Sequence, residues 1–143
     1  MVVAVVPLVA LLEAAALDAQ EHSPVPHRHP EAQALMNPVP GTPESVQAGA
    51  RTYARYCAVC HGATGRGDGK AAAAMAAYNG VRAADLTDEV WQHGSSDGEI
   101  YVSIRDGIGP EFVMDSWKDK LRDEEIWNLV NYIKTLAPGR QAS

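Results

Sequence analysis

Apolar residues recur at helical spacing in several stretches of this chain, separated by stretches with no such period. Thr42-Pro43-Glu44 combines a capping hydroxyl, a proline suited to the first helical position and an acid near the positive end of the helix dipole. These predict a helix over residues 43 to about 57, in which Val46, Ala50, Tyr53, Ala54 and Cys57 fall three or four apart on one face. Gly49 sits on the flank of that face. Glycine inside a helix costs about 1 kcal/mol relative to alanine, so it marks a close crossing with another helix. A second amphipathic helix is expected over about 123–136, where Ile126, Trp127, Leu129, Val130, Ile133 and Leu136 make a broad apolar face. Glu124, Glu125 and Lys134 lie at the ends that suit their charge, and Pro138 and Gly139 stop the helix. Each helix needs a partner, and each offers the other a matching stripe.

Between them, Ser96-Asp97-Gly98-Glu99 reads as a capping box opening a short helix through Ile100, Tyr101 and Ile104, closed by Gly107, with a loop running on to Trp117. Residues 71–77 have high helix propensity and include Met75. Gly62, Gly65, Gly67 and Gly69 make 62–70 a turn-rich loop, without the spacing or the preceding strand of a phosphate loop.

The amino terminus has a different character. Residues 2–12 are almost wholly apolar, as in the core of a secretory signal, and Leu17-Asp18-Ala19 before Gln20 would serve as a cleavage site. No Lys or Arg precedes the run, and a retained hydrophobic tail is the alternative; the run is too short to span a bilayer unaided. From residue 20 to 43 six prolines argue against regular helix and for an extended linker or strap. His22, His27 and His29 with Arg28 could form a metal-binding tract, although solvated linker histidines are the commoner outcome. The expected organisation is a leader over 1–19, a proline-rich linker or docking strap over 20–42, a domain over 43–137 and a tail over 138–143.

A chain of 143 residues suits one domain of this kind, and the core is thin, with a single phenylalanine. Twelve basic against eighteen acidic residues give a net charge of −6, with no basic run, which argues against a nucleic-acid partner.

Cys57-Ala58-Val59-Cys60-His61 carries the chemistry. Cys-x-x-Cys-His is the sequence at which haem is covalently attached: two thiols add across porphyrin vinyl groups, one helical turn presents both sulfurs to one edge of the ring, and the adjacent imidazole reaches the iron. The other ring nitrogen usually donates to a backbone carbonyl. A thioredoxin-like redox pair, half of a zinc site and a short disulfide are the competing readings. The chain has no third cysteine for zinc, with only His93 available to join. The flanks read as helix and glycine-rich loop, not the strand that precedes a thioredoxin-like site.

With these elements in place the chain resembles a class I cytochrome c over about residues 42–136. The resemblance rests on the Cys57–His61 motif, the Gly62-Ala63-Thr64-Gly65-Arg66-Gly67-Asp68-Gly69 stretch, Met114 on a loop, and Asp123-Glu124-Glu125-Ile126-Trp127 leading to Tyr132 and Ile133. It implies an all-α fold whose first and last helices cross around one covalent haem c, with Gly49 and Tyr53 against Leu129 and Tyr132. It also implies a six-coordinate iron held by His61 and a methionine. Met36 precedes the domain, and Met75 lies only fourteen residues after His61 on an alanine-rich helix. Met114 lies fifty-three residues after His61, just before the last helix, where the family places its distal sulfur. Asp115 follows it in place of the usual proline, and an ordinary packing methionine would leave the sixth position open.

His/Met ligation fills both axial sites and raises the reduction potential. The function it implies is one-electron, outer-sphere transfer between redox protein partners through an exposed haem edge, with no small-molecule substrate and no catalytic residue. Arg105, Asp115 and Trp117 are candidates for shaping the haem surroundings or propionates. Two alternatives remain: a fixed electron-transfer subunit of a membrane-bound respiratory or photosynthetic complex, and a haem enzyme or gas sensor with an open sixth position. Attachment of this kind takes place outside the cytoplasm, so the expected location is the periplasm or the outer face of the cytoplasmic membrane.

Overall fold

The computed structural model describes residues 29–109 and 113–137; the leader, His22, His27, the residues between Gly109 and Val113, and the tail with Pro138 and Gly139 lie outside them. Among the described residues six helices follow in order: α1 (Pro30–Gln33), α2 (Pro43–Tyr56), α3 (Ala58–His61), α4 (Ala72–Asn79), α5 (Asp97–Asp106) and α6 (Asp123–Leu136). Among the described residues the sole extended pairing is an isolated antiparallel bridge between Ile108 and Met114.

Helix α2 starts as its sequence predicts. The Thr42 hydroxyl accepts from the Ser45 N–H at 3.3 Å, with Pro43 in the first turn. It crosses α6 at Gly49, where a Cβ would sit 2.7 Å from the Asn128 carbonyl carbon and 2.8 Å from Tyr132 Cβ and would meet the Asn128 carbonyl oxygen closer still. The obstruction is therefore α6 backbone at Asn128, one residue before the expected Leu129. Ser45 Oγ donates to Asn128 Oδ1 at 2.6 Å, and the Tyr53 and Tyr132 rings meet at 5.1 Å. Tyr53, Ile126, Leu129 and Val130 are essentially fully buried at this crossing.

Helix α5 is set by the capping box. Ser96 Oγ accepts from the Glu99 N–H while the Glu99 carboxylate accepts from the Ser96 N–H, and Gly107 closes the last turn with φ +79°. Its apolar side packs on α6, with the Tyr101 ring stacked on Trp127 at 4.0 Å and 9°. Lys134 near the end of α6 pairs with Asp97 at the start of α5, each at a helix end that favours its charge.

The described part of the proline-rich segment, residues 29–42, behaves differently from the extended chain expected of it. Pro30 occupies the first turn of α1, where its missing N–H costs nothing, and Ala32 packs with no exposure against α5 at Gly98, where a Cβ would lie 2.7 Å from Leu35 Cβ. His29, expected to be solvated, is 2% exposed: its carbonyl caps α1 by accepting from the Ala32 and Gln33 N–H groups. Gln33 Nε2 donates to the buried Glu99 carboxylate at 3.1 Å. Asn37 and Asn131 then tie the chain to α6. Asn37 Nδ2 donates to Asn131 Oδ1 at 2.9 Å, and Asn131 Nδ2 donates to the carbonyls of Val39 and Pro40 and to Ser45 Oγ.

Candidate haem site and family

Helix α2 hands over directly to the motif. Cys57 caps α2, its N–H donating to the Tyr53 carbonyl at 2.9 Å, and α3 then carries Val59, Cys60 and His61 in one turn. The glycine loop folds back along that turn. Gly67, Gly69 and Ala71 donate to the carbonyls of His61, Cys60 and Val59 at 2.8, 3.0 and 2.8 Å, which satisfies the open end of α3. The close approach demands glycine at Gly69, where a Cβ would lie 2.6 Å from the Cys60 carbonyl carbon. Gly62 adopts φ +79°, and its carbonyl accepts from the buried Tyr53 hydroxyl at 2.8 Å.

His61 Nδ1 lies 3.0 Å from the Ala84 carbonyl. A carbonyl only accepts, so Nδ1 carries the proton and the Nε2 lone pair is left for a metal. Burial lowers the His61 pKa, with the Ala84 carbonyl opposing that shift more weakly, and the imidazole is neutral at neutral pH. Sequence reasoning anticipated a carbonyl acceptor but had no signal to name Ala84, because the acceptor is backbone on a segment without periodicity.

Burial, with the neighbouring Cys60 adding to it, pushes the Cys57 thiol up to about 12. A thioredoxin-like nucleophile needs the opposite shift. The two cysteines are not bonded to each other, and among the described residues no three His, Cys, Asp or Glu side chains gather as a metal cluster. Tyr56, Cys57, Ala58, Leu86, Trp91 and Trp117 pack on the core with part of their apolar surface uncovered. Two unbonded thiols, one neutral imidazole with Nε2 free and this apolar surround together fit a haem.

The two candidate thioethers are held differently. Met75 Sδ, on α4, lies 3.4 Å from Cys60 Sγ. Met114 is half-buried on the irregular segment after α5, bridged to Ile108 by N–H to carbonyl contacts of 2.8 and 3.1 Å. That segment is fixed to α5, since Trp117 and Lys118 donate to the Arg105 carbonyl at 3.1 Å. It also reaches the motif, because the Trp117 ring packs on Tyr56 at 5.4 Å, next to Cys57. Met36 is exposed on the strap. Arg105 is turned to Asp106, donating twice at 2.9 and 2.6 Å, with its guanidinium over Tyr101.

Residues 44–133 match the family model described as cytochrome c oxidase, cbb3-type, subunit III. The chain belongs to that family. It is a c-type cytochrome, an electron-transfer domain of a family that binds haem c covalently, and its architecture is the all-α class I cytochrome c fold. Similar proteins include the cbb3-type cytochrome c oxidase subunit FixP of Azorhizobium caulinodans, 30% identical over 108 residues that make up 76% of this chain and 33% of that protein. FixP of a Bradyrhizobium species is 29% identical over 93 residues, 65% of this chain and 28% of the relative. The chain thus spans about a third of the length of these relatives. Among solved structures, a chain of the Kuenenia stuttgartiensis reducing HAO-like protein complex superposes with a TM-score of 0.59 at 27% identity, covering 73% of this chain and 48% of that one. Cytochrome CL of Methylophaga aminisulfidivorans shares the fold, with a TM-score of 0.52 at 19% identity over 66% of this chain and 57% of its own.

Proposed function

We propose that the chain holds one haem c, bonded through Cys57 and Cys60 and ligated by His61 and Met114, and passes single electrons between redox proteins by outer-sphere transfer. The observation that carries this reading is the α3 turn, where both thiols and an imidazole oriented by Ala84 occupy five consecutive residues. The sequence contains two cysteines and hence one such motif, which supports a single haem. Haem c supplies a one-electron iron couple when bound. Cys57 and Cys60 would hold the group through their two sulfurs. His61 offers Nε2, and the Met114 thioether, a soft donor, favours the ferrous state and raises the potential. The bridge to Ile108 and the anchoring of Trp117 to α5 hold the Met114 segment steady, so that little reorganises between oxidation states.

The proposed location is outside the cytoplasm, in the periplasm or on the outer face of the cytoplasmic membrane, where this attachment is made. No helix among the described residues is long and apolar enough to cross a membrane. The FixP relatives favour a second reading, a fixed subunit of a membrane oxidase. Spectroscopic redox titration of the holoprotein tests the main proposal. A single one-electron transition, a far-red sulfur-to-iron band in the ferric form and no carbon monoxide binding in the ferrous form are expected. Ready carbon monoxide binding would instead give an open sixth position, and co-purification with an oxidase from salt-washed membranes would select the second reading.

A further inference from the structure

We propose that Tyr53 is a positioning residue for the iron ligand: its hydroxyl, acting through the turn from Gly62 to Gly65, fixes the hydrogen bond between His61 and Ala84 and so sets the reduction potential. The proposal rests on the haem-carrier reading above. Tyr53 grips both ends of the attachment motif. Its carbonyl accepts from the Cys57 N–H at 2.9 Å, at the residue that carries the first sulfur, and its hydroxyl donates to the Gly62 carbonyl at 2.8 Å, directly after His61. The side chain is 1% exposed, and the Tyr132 ring of α6 lies against it at 5.1 Å and 55°. The hydroxyl is therefore aimed by the α2–α6 crossing and not by the loop it holds.

The Gly62 carbonyl is shared. It also accepts from the Gly65 N–H at 3.3 Å, closing a turn, and the Gly65 carbonyl accepts in its own right from the Leu86 N–H at 2.6 Å. Leu86 lies two residues after Ala84, whose carbonyl faces His61 Nδ1 at 3.0 Å. The same loop holds the histidine backbone, since the Gly67 N–H donates to the His61 carbonyl at 2.8 Å. One buried hydroxyl thus anchors the turn to which both partners of the Nδ1 bond, the histidine and its acceptor, are tied. Without it the Gly62 carbonyl keeps the longer contact from Gly65, and the turn loses this tie to α2. An imidazole that donates firmly from Nδ1 is a stronger base at Nε2 and favours ferric iron. Weakening that bond therefore raises the potential.

The test uses the holoprotein at neutral pH. Tyr53→Phe keeps the ring against Tyr132 and removes the hydroxyl alone. Redox titration should give a higher potential than wild type, and NMR of the ferrous form, with nitrogen-15 in the histidine ring, should show His61 Nδ1–H shifted upfield and exchanging faster with water. The second readout does not depend on which residue fills the sixth position. Asn131→Ala, whose side chain bonds to none of these residues, destabilises the fold through the strap and should leave both readings at their wild-type values. A Tyr53→Phe potential that is unchanged or lower, or Nδ1–H exchange that stays as in wild type, would overturn the proposal. Equal shifts in Asn131→Ala would overturn it too, by making the effect one of stability alone. If Tyr53→Phe gives no folded holoprotein, the wild type decides: a Tyr53 hydroxyl proton protected from exchange is expected, and one in free exchange with water would overturn the proposal. Failure of the haem-carrier reading would look different, as a wild-type chain without haem absorbance.

Discussion

Gly49→Val should destabilise the holoprotein, and the magnitude follows from what the new side chain meets. A Cβ at Gly49 lies 2.7 Å from the Asn128 carbonyl carbon and 2.8 Å from Tyr132 Cβ. The first is α6 backbone, which cannot swing aside as a side chain would. Relief requires α6 to move off α2, which would strain the 2.6 Å bond from Ser45 Oγ to Asn128 Oδ1. Overpacking typically costs about 1–3 kcal/mol, and a backbone obstruction belongs at the upper end of that range. Helix propensity returns only a few tenths of a kcal/mol when valine replaces glycine. A net loss of about 2–3 kcal/mol is expected, which at a urea slope of about 2 kcal/mol/M lowers the midpoint by about 1–1.5 M. Gln47→Val, on the exposed side of the same helix, serves as control and should shift stability by no more than about 0.5 kcal/mol. Urea midpoints of the three haem-loaded proteins decide the matter. An unchanged or raised midpoint for Gly49→Val would mean that the two helices do not depend on this close approach.

Other substitutions probe the site and its supports. Met114→Ala should open the iron to carbon monoxide and lower the potential, whereas Met75→Ala should do neither; visible spectra and redox titration of the pair would reassign the ligand if the pattern were reversed. Tyr53→Phe removes the hydrogen bond to the Gly62 carbonyl and should cost about 1 kcal/mol at neutral pH. Burial raises the Tyr53 pKa well above the usual phenol value, so its share of stability is full below about pH 10 and is lost as the pH climbs through the raised folded value. The variant should therefore lose less stability than wild type on going from neutral to strongly alkaline solution, as urea midpoints against pH would show; an identical decline would contradict this. Asn131→Ala leaves the Val39 and Pro40 carbonyls without their α6 partner and Asn37 with the Trp127 carbonyl in place of two acceptors there, and should cost about 1–3 kcal/mol with faster amide exchange across 37–42.

The parts legible in the sequence were those written in local chemistry. The Thr42 cap, the Ser96 to Glu99 capping box and the Gly107 stop sit at helix ends because their side chains or their lack of one act within a turn. The α2–α6 crossing was legible because a glycine inside a good helix needs a tertiary reason. The strap was misjudged, since prolines are informative about helix interiors and Pro30 is at a first turn. What fixes the strap is also non-local: Ala32 under Gly98, Gln33 on Glu99 and Asn37 on Asn131 join residues more than sixty apart. At the site, the Cys57–His61 motif announced itself. The Ala84 carbonyl and the contact of Met75 with Cys60 did not, because one is backbone and the other depends on how the glycine loop turns α4 back toward α3.

The most direct test of the account is covalent attachment itself. The chain, produced together with a haem-attachment system, is run on denaturing electrophoresis with haem staining and weighed intact, beside Cys57→Ala with Cys60→Ala. The account predicts a stained wild-type band whose mass exceeds the polypeptide by one haem, and an unstained double variant. A wild-type chain that releases its haem on denaturation, or a double variant that keeps it, would contradict the account.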